Sequence, residues 1–167
     1  MFFTQDQTKE IANVGDFTNG YAITKWRNVT STGVPGVSSD FPDTDFPMFR
    51  LADVYLMYAE ASINGAGEAA TALGYVNDLR DRAGASTVNA GDLTMDFILD
   101  ERGRELYWEC HRRTDLRRHG KFTGDEYIWS WKGNTQVGRS TNAKFELFPI
   151  PDADVNSNPN LDQNPNY

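Results

Sequence analysis

Apolar residues crowd the stretch that starts at Leu51. Ala52, Val54, Tyr55, Leu56, Met57, Tyr58, Ala59, Ala61 and Ile63 follow, with Asp53 and Glu60 as the charged interruptions. A helix that is apolar nearly all round is a largely buried one, and such a helix is predicted here. Pro47 fits its first turn and Asn64-Gly65 ends it. A second helix is predicted from Gly67 to Arg82, because Ala69, Ala72, Leu73, Val76, Leu79 and Ala83 recur at helical spacing and Gly84 stops the run. The short Asn-Gly-Ala-Gly link requires the two to pack as an antiparallel hairpin. A third helix opens near Thr94, with Asp92 or Thr94 as its cap and Met95, Leu99, Gly103, Leu106 and Cys110 as an inward stripe. A fourth, shorter helix is expected at 113–119.

The ends of the chain lack this periodicity. Residues 1–45 carry turn chemistry at Thr18-Asn19-Gly20, Ser31-Thr32-Gly33 and Pro35-Gly36, with one short strand expected around Tyr21–Trp26. From Lys121 onward the chain is again irregular. Tyr127, Trp129 and Trp131 alternate as a short strand requires, Phe145–Ile150 is a second apolar run, and the Asn- and Pro-rich tail reads as loop. The expectation is one mainly α domain over 1–167: an irregular segment 1–45, a helical core 46–120 and a loop-rich segment 121–167. Paired helices suggest a helical repeat, although the tetratricopeptide consensus is not readable.

Composition narrows the function classes. The chain has 167 residues, 39% of them hydrophobic and 13% aromatic, with a formal net charge of −8. That length suffices for a hydrophobic core, and the acidic balance repels a phosphate backbone, so no nucleic-acid partner is expected. Cys110 is the single cysteine, so no internal disulfide forms, and its place in a helical pattern predicts a buried, inert thiol. No run approaches the roughly 20 apolar residues that span a bilayer. The first ten residues do not have the pattern of a signal peptide, which leaves a cytoplasmic protein or a chain that starts downstream of its natural beginning.

The densest polar pattern runs from Glu101 to Arg118. Glu101, Glu105 and Glu109 fall at i, i+4 and i+8 on one predicted helix face, and Arg102, Arg104, Arg112 and Arg113 are placed to answer them. A glycosidase needs two carboxylates about 5–10 Å apart with split acidities. Carboxylates ringed by guanidinium groups form ion pairs instead, so a structural network joining the third and fourth helices is the better reading, and no enzyme is expected. The basic run His111–Lys121 lacks the interleaved aromatics of a nucleic-acid site. His111 and His119 lack metal-ligand spacing. Asp152-x-Asp154-x-Asn156 opens like a calcium loop, but Ser157 stands where glycine is required and Gln163 where a bidentate glutamate is required. No metal or cofactor is therefore expected, and no phosphate-loop, nucleophile-elbow or dinucleotide motif is present. What remains are aromatics in irregular segments. Trp26, Trp129 and Trp131 offer flat faces for the C–H face of a pyranose, with Asn and Asp nearby; the alternative is that they plug loops onto the core.

Several stretches together resemble the SusD/RagB family. Phe49-Arg50-Leu51-Ala52-Asp53-Val54-Tyr55-Leu56-Met57-Tyr58-Ala59-Glu60-Ala61 is similar to that family's R-x-A-D-V-x-L-M-x-A-E-A helix. Ile98-Leu99-Asp100-Glu101-Arg102, Glu105-Leu106, Glu109, His111-Arg112, Asp115-Leu116 and Arg118 resemble its E-R-x-x-E-L-x-x-E-x-x-R-x-x-D-L-x-R stretch. Trp129-Ser130-Trp131-Lys132-Gly133, Leu147-Phe148-Pro149-Ile150-Pro151 and Asn158-Pro159-Asn160-Leu161 with Gln163-Asn164-Pro165 and Tyr167 match its closing segments in order. The departures are Gly103 within a helix, at a cost of about 1 kcal/mol, Cys110 in place of a common glycine, and Arg113-Thr114 where aromatics are frequent. The resemblance implies tetratricopeptide-like helical pairs carrying long irregular loops. It implies non-catalytic binding of oligosaccharides, polysaccharides or other nutrients, and a SusC-like TonB-dependent outer-membrane transporter as partner. It implies a surface-exposed outer-membrane lipoprotein, anchored through an N-terminal region absent from this chain, which would be a C-terminal part. The matching motifs are structural, and Arg50, Asp53 and Glu60 are expected in buried or half-buried ion pairs, as charges in so apolar a helix require. The alternative function is a helical-repeat module that docks the transporter without touching ligand.

Overall fold

The structure is a computed structural model that describes residues 2–3 and 6–167. It is mainly helical and divides into two compact units, Met1–Ile98 and Leu99–Tyr167.

In the first unit β1 (Phe2–Phe3) pairs antiparallel with β2 (Ala22–Ile23), Phe2 opposite Ile23. The strand expected around Tyr21–Trp26 is thus two residues long. Helix α1 (Leu51–Ile63) and helix α2 (Ala69–Arg82) form the predicted hairpin. Leu56, Ala59, Ala72, Val76 and Ile98 are fully buried between these elements and the start of α3 (Met95–Glu105). Tyr55 stacks on Tyr75 with centroids 4.1 Å apart, Tyr58 meets the same ring edge-on, and the Tyr58 hydroxyl accepts from the Glu68 amide ahead of α2. The segment leading into α3 is pinned by Asn77, whose side chain both donates to the Val88 carbonyl and accepts from the Val88 amide.

Two expectations about α1 need correction. It is buried on one face only: Ala52, Asp53, Leu56, Ala59 and Glu60 are covered, while Leu51, Val54 and Met57 are exposed. The elements packed against it within this unit cover a single side. Pro47 is not in its first turn either, because Arg50 is extended (φ −129°, ψ 149°) and the helix starts after it.

Helix α3 begins in the first unit, where it is capped by Thr94, whose hydroxyl accepts from the Phe97 amide, and it ends in the second. The helix stops at Glu105, because the following turn places Trp108 (φ 60°) and Cys110 (φ 65°) in the left-handed region. Glu101 and Glu105 share a helix as predicted, but Glu109 lies beyond its end. Cys110, expected buried, is exposed, since it belongs to this turn and not to a helical stripe. Helix α4 (Arg112–Arg118) follows. No strand forms at 127–131; Trp131 is left-handed (φ 71°) and starts a 3-10 turn over Lys132–Asn134. The stretch that begins like a calcium loop, read as loop from sequence, forms helix α5 (Asp152–Ser157), with Asp152 and Asp154 favoured in its first turn by the helix dipole.

The closing motifs explain one another. The Gln163 side chain donates to the Ile150 carbonyl and accepts from the Ile150 amide, as a second strand would. Asn164 donates to the Phe148 carbonyl, and the Tyr167 hydroxyl donates to the Leu147 carbonyl. The final residues thereby clamp the Leu147–Pro151 run.

Candidate functional site

Two concavities of the second unit carry the polar and aromatic groups of interest, each built from α4 or the end of α3 and from the loops that follow. The smaller is a hollow of about 320 Å³ lined by Trp129, Trp131, Phe122, Phe145, Phe148 and Tyr167, with Arg113 and Lys132 among them. It lies at the lower end of the size range of small-ligand sites. Two sequence-selected tryptophans, Trp129 and Trp131, therefore reach one aromatic hollow. The third, Trp26, does not: it belongs to the first unit, where it stacks on Phe46 at 5.1 Å.

Cations set the walls of this hollow. Lys132 is 2% exposed, and its ammonium donates to the carbonyls of Gly124 (2.9 Å) and Tyr127 (2.7 Å). The same ammonium sits 4.7 Å from the Trp129 ring centroid, a cation–π contact that fixes the indole. Burial pushes the Lys132 ammonium below the usual lysine range. Gly138 (φ 73°) lets the chain cross Trp129 closely, since a Cβ there would stand 2.3 Å from the Trp129 carbonyl oxygen. Arg113 was expected to answer the glutamates of α3. Its guanidinium instead lies between Phe122 (4.9 Å) and Phe148 (4.1 Å) and donates to the Phe145 and Glu146 carbonyls. The planar fork suits this double use, ring faces on its flat sides and carbonyls at its edge. Beside it the Glu146 carboxylate accepts from the Thr123 hydroxyl (2.6 Å) and from Arg117 (2.9 Å), and the first of these bonds is the main cause that holds its pKa below the ordinary carboxylate value.

The larger concavity is an open cleft of about 770 Å³. Asp100, Gly103 and Arg104 of α3 line it, with Tyr107, Trp108, Arg112 and Tyr127 around them. Arg112 donates to the Leu99 carbonyl (2.7 Å) and to the Tyr127 hydroxyl (2.8 Å), which in turn donates to Asp100 Oδ1 (2.9 Å). Burial, and then the bond to Asp100, raise the Tyr127 phenol above its ordinary value. Gly103 has its explanation here. A Cβ at this position would lie 2.9 Å from Arg112 Nη1, so the glycine leaves the guanidinium room to cross α3 and reach Leu99.

Most of the charged residues picked out between 101 and 118 form pairs of known geometry. Arg102 Nε lies 2.9 Å from Asp115 Oδ2 with both side chains buried, and Arg118 reaches the other Asp115 oxygen at 3.3 Å. Arg104 donates twice to Glu101 Oε2, at 2.7 and 2.9 Å. Glu109 is buried, Glu105 half-buried, and in the first unit Asp53 and Glu60 are buried with Arg50 half-buried. Sequence reasoning gave no role to Lys132, Phe148, Tyr167 or Trp108. The first three stand inside the closing family motifs, a usable signal; nothing in the sequence marks Trp108.

Among the described residues no helix is long and apolar enough to cross a membrane, and no cluster of His, Cys, Asp or Glu is arranged to hold a metal. The chain is 42% identical over 154 residues to the starch-binding protein SusD of Bacteroides thetaiotaomicron, an alignment covering 92% of this chain and 27% of that protein. It superposes on a SusD superfamily protein from Bacteroides thetaiotaomicron with a TM-score of 0.66 and 26% identity, over 97% of this chain and 36% of the other. A surface glycan-binding protein A from Bacteroides uniformis matches with a TM-score of 0.56 and 28% identity, over 71% and 27% of the two chains. The 167 residues thus span about a quarter to a third of the length of these relatives. A sequence model of the SusD family matches residues 3–167, and the chain belongs to that family.

Proposed function

We propose that this chain is part of a non-catalytic glycan-binding protein of the outer-membrane surface, held there by a lipid anchor, which passes oligosaccharides to a SusC-like TonB-dependent transporter. The observation that carries the reading is the convergence of Trp129 and Trp131 on one hollow walled by aromatic rings, in a chain whose relatives include a starch-binding and a surface glycan-binding protein. A pyranose stacks its C–H face on an indole, and the gain grows when the ring is fixed before binding. The Lys132 contact supplies that fixing for Trp129. Trp26, stacked on Phe46 in the first unit, is assigned to the same ligand class. Calorimetric titration of the 167-residue chain with maltoheptaose and soluble starch is the direct test. Binding that weakens at least tenfold in both Trp129→Ala and Trp131→Ala is expected; binding unchanged in both variants would remove the hollow as the site.

A second reading, docking of the transporter without ligand contact, draws on the exposed apolar face of α1 at Leu51, Val54 and Met57. Its mark would be transporter association lost on charging that face while sugar binding is untouched.

A further inference from the structure

The larger cleft has features that the hollow lacks, and neither the family match nor the tryptophans chosen from sequence account for them. Trp108 is 60% exposed and Tyr107 is exposed beside it, both lining the cleft. Trp108 takes a left-handed conformation, which a bulky residue adopts only where the surrounding structure imposes it, and Cys110 two residues on does the same. The turn therefore presents a large indole to solvent where a glycine or asparagine would relieve the backbone.

Other groups lining the cleft are polar and fixed. Tyr127 accepts from Arg112 and donates to Asp100 Oδ1, so the phenol is saturated and serves to orient its neighbours. Asp100 is half exposed, and its Oδ2 has no partner among the described residues. The cations lining the cleft are already engaged: Arg102 with Asp115, Arg104 with Glu101, Arg112 with the Leu99 carbonyl and Tyr127, and Arg113 with the Phe145 and Glu146 carbonyls. An anionic ligand would meet no uncommitted cation and one open carboxylate oxygen. A neutral ligand with adjacent hydroxyls and an apolar face meets a ready acceptor and a flat ring. The volume of about 770 Å³ admits several pyranose rings.

We propose that this cleft is a second saccharide subsite, in which Trp108 stacks a neutral pyranose and Asp100 Oδ2 accepts from its hydroxyls, with Tyr127 and Arg112 as positioning residues for the carboxylate. The proposal rests on the reading that the protein binds glycans, and adds a contact region separate from the Trp129–Trp131 hollow.

The four indole N–H resonances allow the two sites to be followed separately. Each is assigned by a single Trp→Phe variant, and the 167-residue chain is titrated in turn with maltoheptaose, cellohexaose, xylohexaose and mannohexaose. The expected result is a saturable shift of the Trp108 signal with at least one sugar, weakened about tenfold or more in Asp100→Asn, as loss of a hydrogen bond to a charged acceptor predicts. Tyr127→Phe should weaken it less and leave the Trp129 shift in place. Shifts at Trp129 or Trp131 with none at Trp108 would overturn this proposal and leave the glycan-binding function standing. No shift at any indole with any of the four sugars would count against both. A Trp108 shift indifferent to Asp100→Asn would mean contact without a built site, and would overturn the subsite as well.

Discussion

Asp115 is nearly inaccessible, yet holds two guanidinium groups, Arg102 at 2.9 Å and Arg118 at 3.3 Å. Removing one member of a buried pair strands the other charge, which costs about 3–5 kcal/mol. Asp115→Ala should therefore lower unfolding stability by about that amount in a urea titration, and Arg118→Ala, whose side chain is half exposed, by much less. Equal losses from the two would contradict the assignment of Arg102 as the buried partner that carries most of the effect. Glu146 offers a test by pH. Its carboxyl is held below its ordinary value of 4.5, first by the Thr123 hydroxyl and then by Arg117. A depressed folded-state value means the unfolded chain binds the proton more readily, so the contribution is complete above about 4.5 and fades as pH falls through the folded value. The stability gap between the wild type and Glu146→Gln should accordingly be constant at neutral pH and shrink on acidification below 4.5. A gap that widens with acid would reverse the sign of this argument.

At the level of elements, α3 and α4 are joined by an exchange of helix propensity for reach. Glycine inside α3 costs about 1 kcal/mol relative to alanine, and in return the Arg112 guanidinium passes over Gly103 to the Leu99 carbonyl and the Tyr127 hydroxyl. Each such bond contributes about 1–3 kcal/mol when the donor is charged. Gly103→Ala gains about 1 kcal/mol of propensity but dislodges Arg112 from both bonds, so it should destabilise by about 1–5 kcal/mol net. The informative comparison is the double variant. With Arg112 already replaced by alanine the clash is gone, so adding Gly103→Ala should stabilise by about 1 kcal/mol. Chemical denaturation of the four proteins in the cycle gives the coupling directly, and additive single effects would show that Gly103 and Arg112 do not interact.

Across the molecule, the helical hairpin was legible because its signals are local and repeated: Ala72, Val76 and Leu79 recur on one face, and Gly84 follows. Trp129 and Trp131, chosen as aromatics in an irregular segment, line one hollow. What stayed hidden depends on partners distant in sequence or on backbone states with no residue signature. Lys132 reads as a surface lysine until the carbonyls of Gly124 and Tyr127 close on it. Trp108 and Cys110 take left-handed φ without the glycine or asparagine that would announce it, so the helix was extended one turn too far. The composition of α1 was read as burial on all sides, but periodicity cannot say how many faces find a neighbour. Among the described residues one face finds none: Leu51, Val54 and Met57 are exposed, with Met48 and Phe49 exposed just before them. Contiguous apolar surface of this kind drives association or binding of hydrophobic probes. The chain should therefore enhance the fluorescence of an anilinonaphthalene sulfonate dye and sediment with concentration-dependent mass. Replacing Leu51, Val54 and Met57 by glutamate should suppress both effects and change folding stability by no more than about 0.5 kcal/mol per site, as exposed positions do. Dye binding that persists in the triple variant would move the sticky surface elsewhere, and a large loss of stability would mean that this face is packed after all.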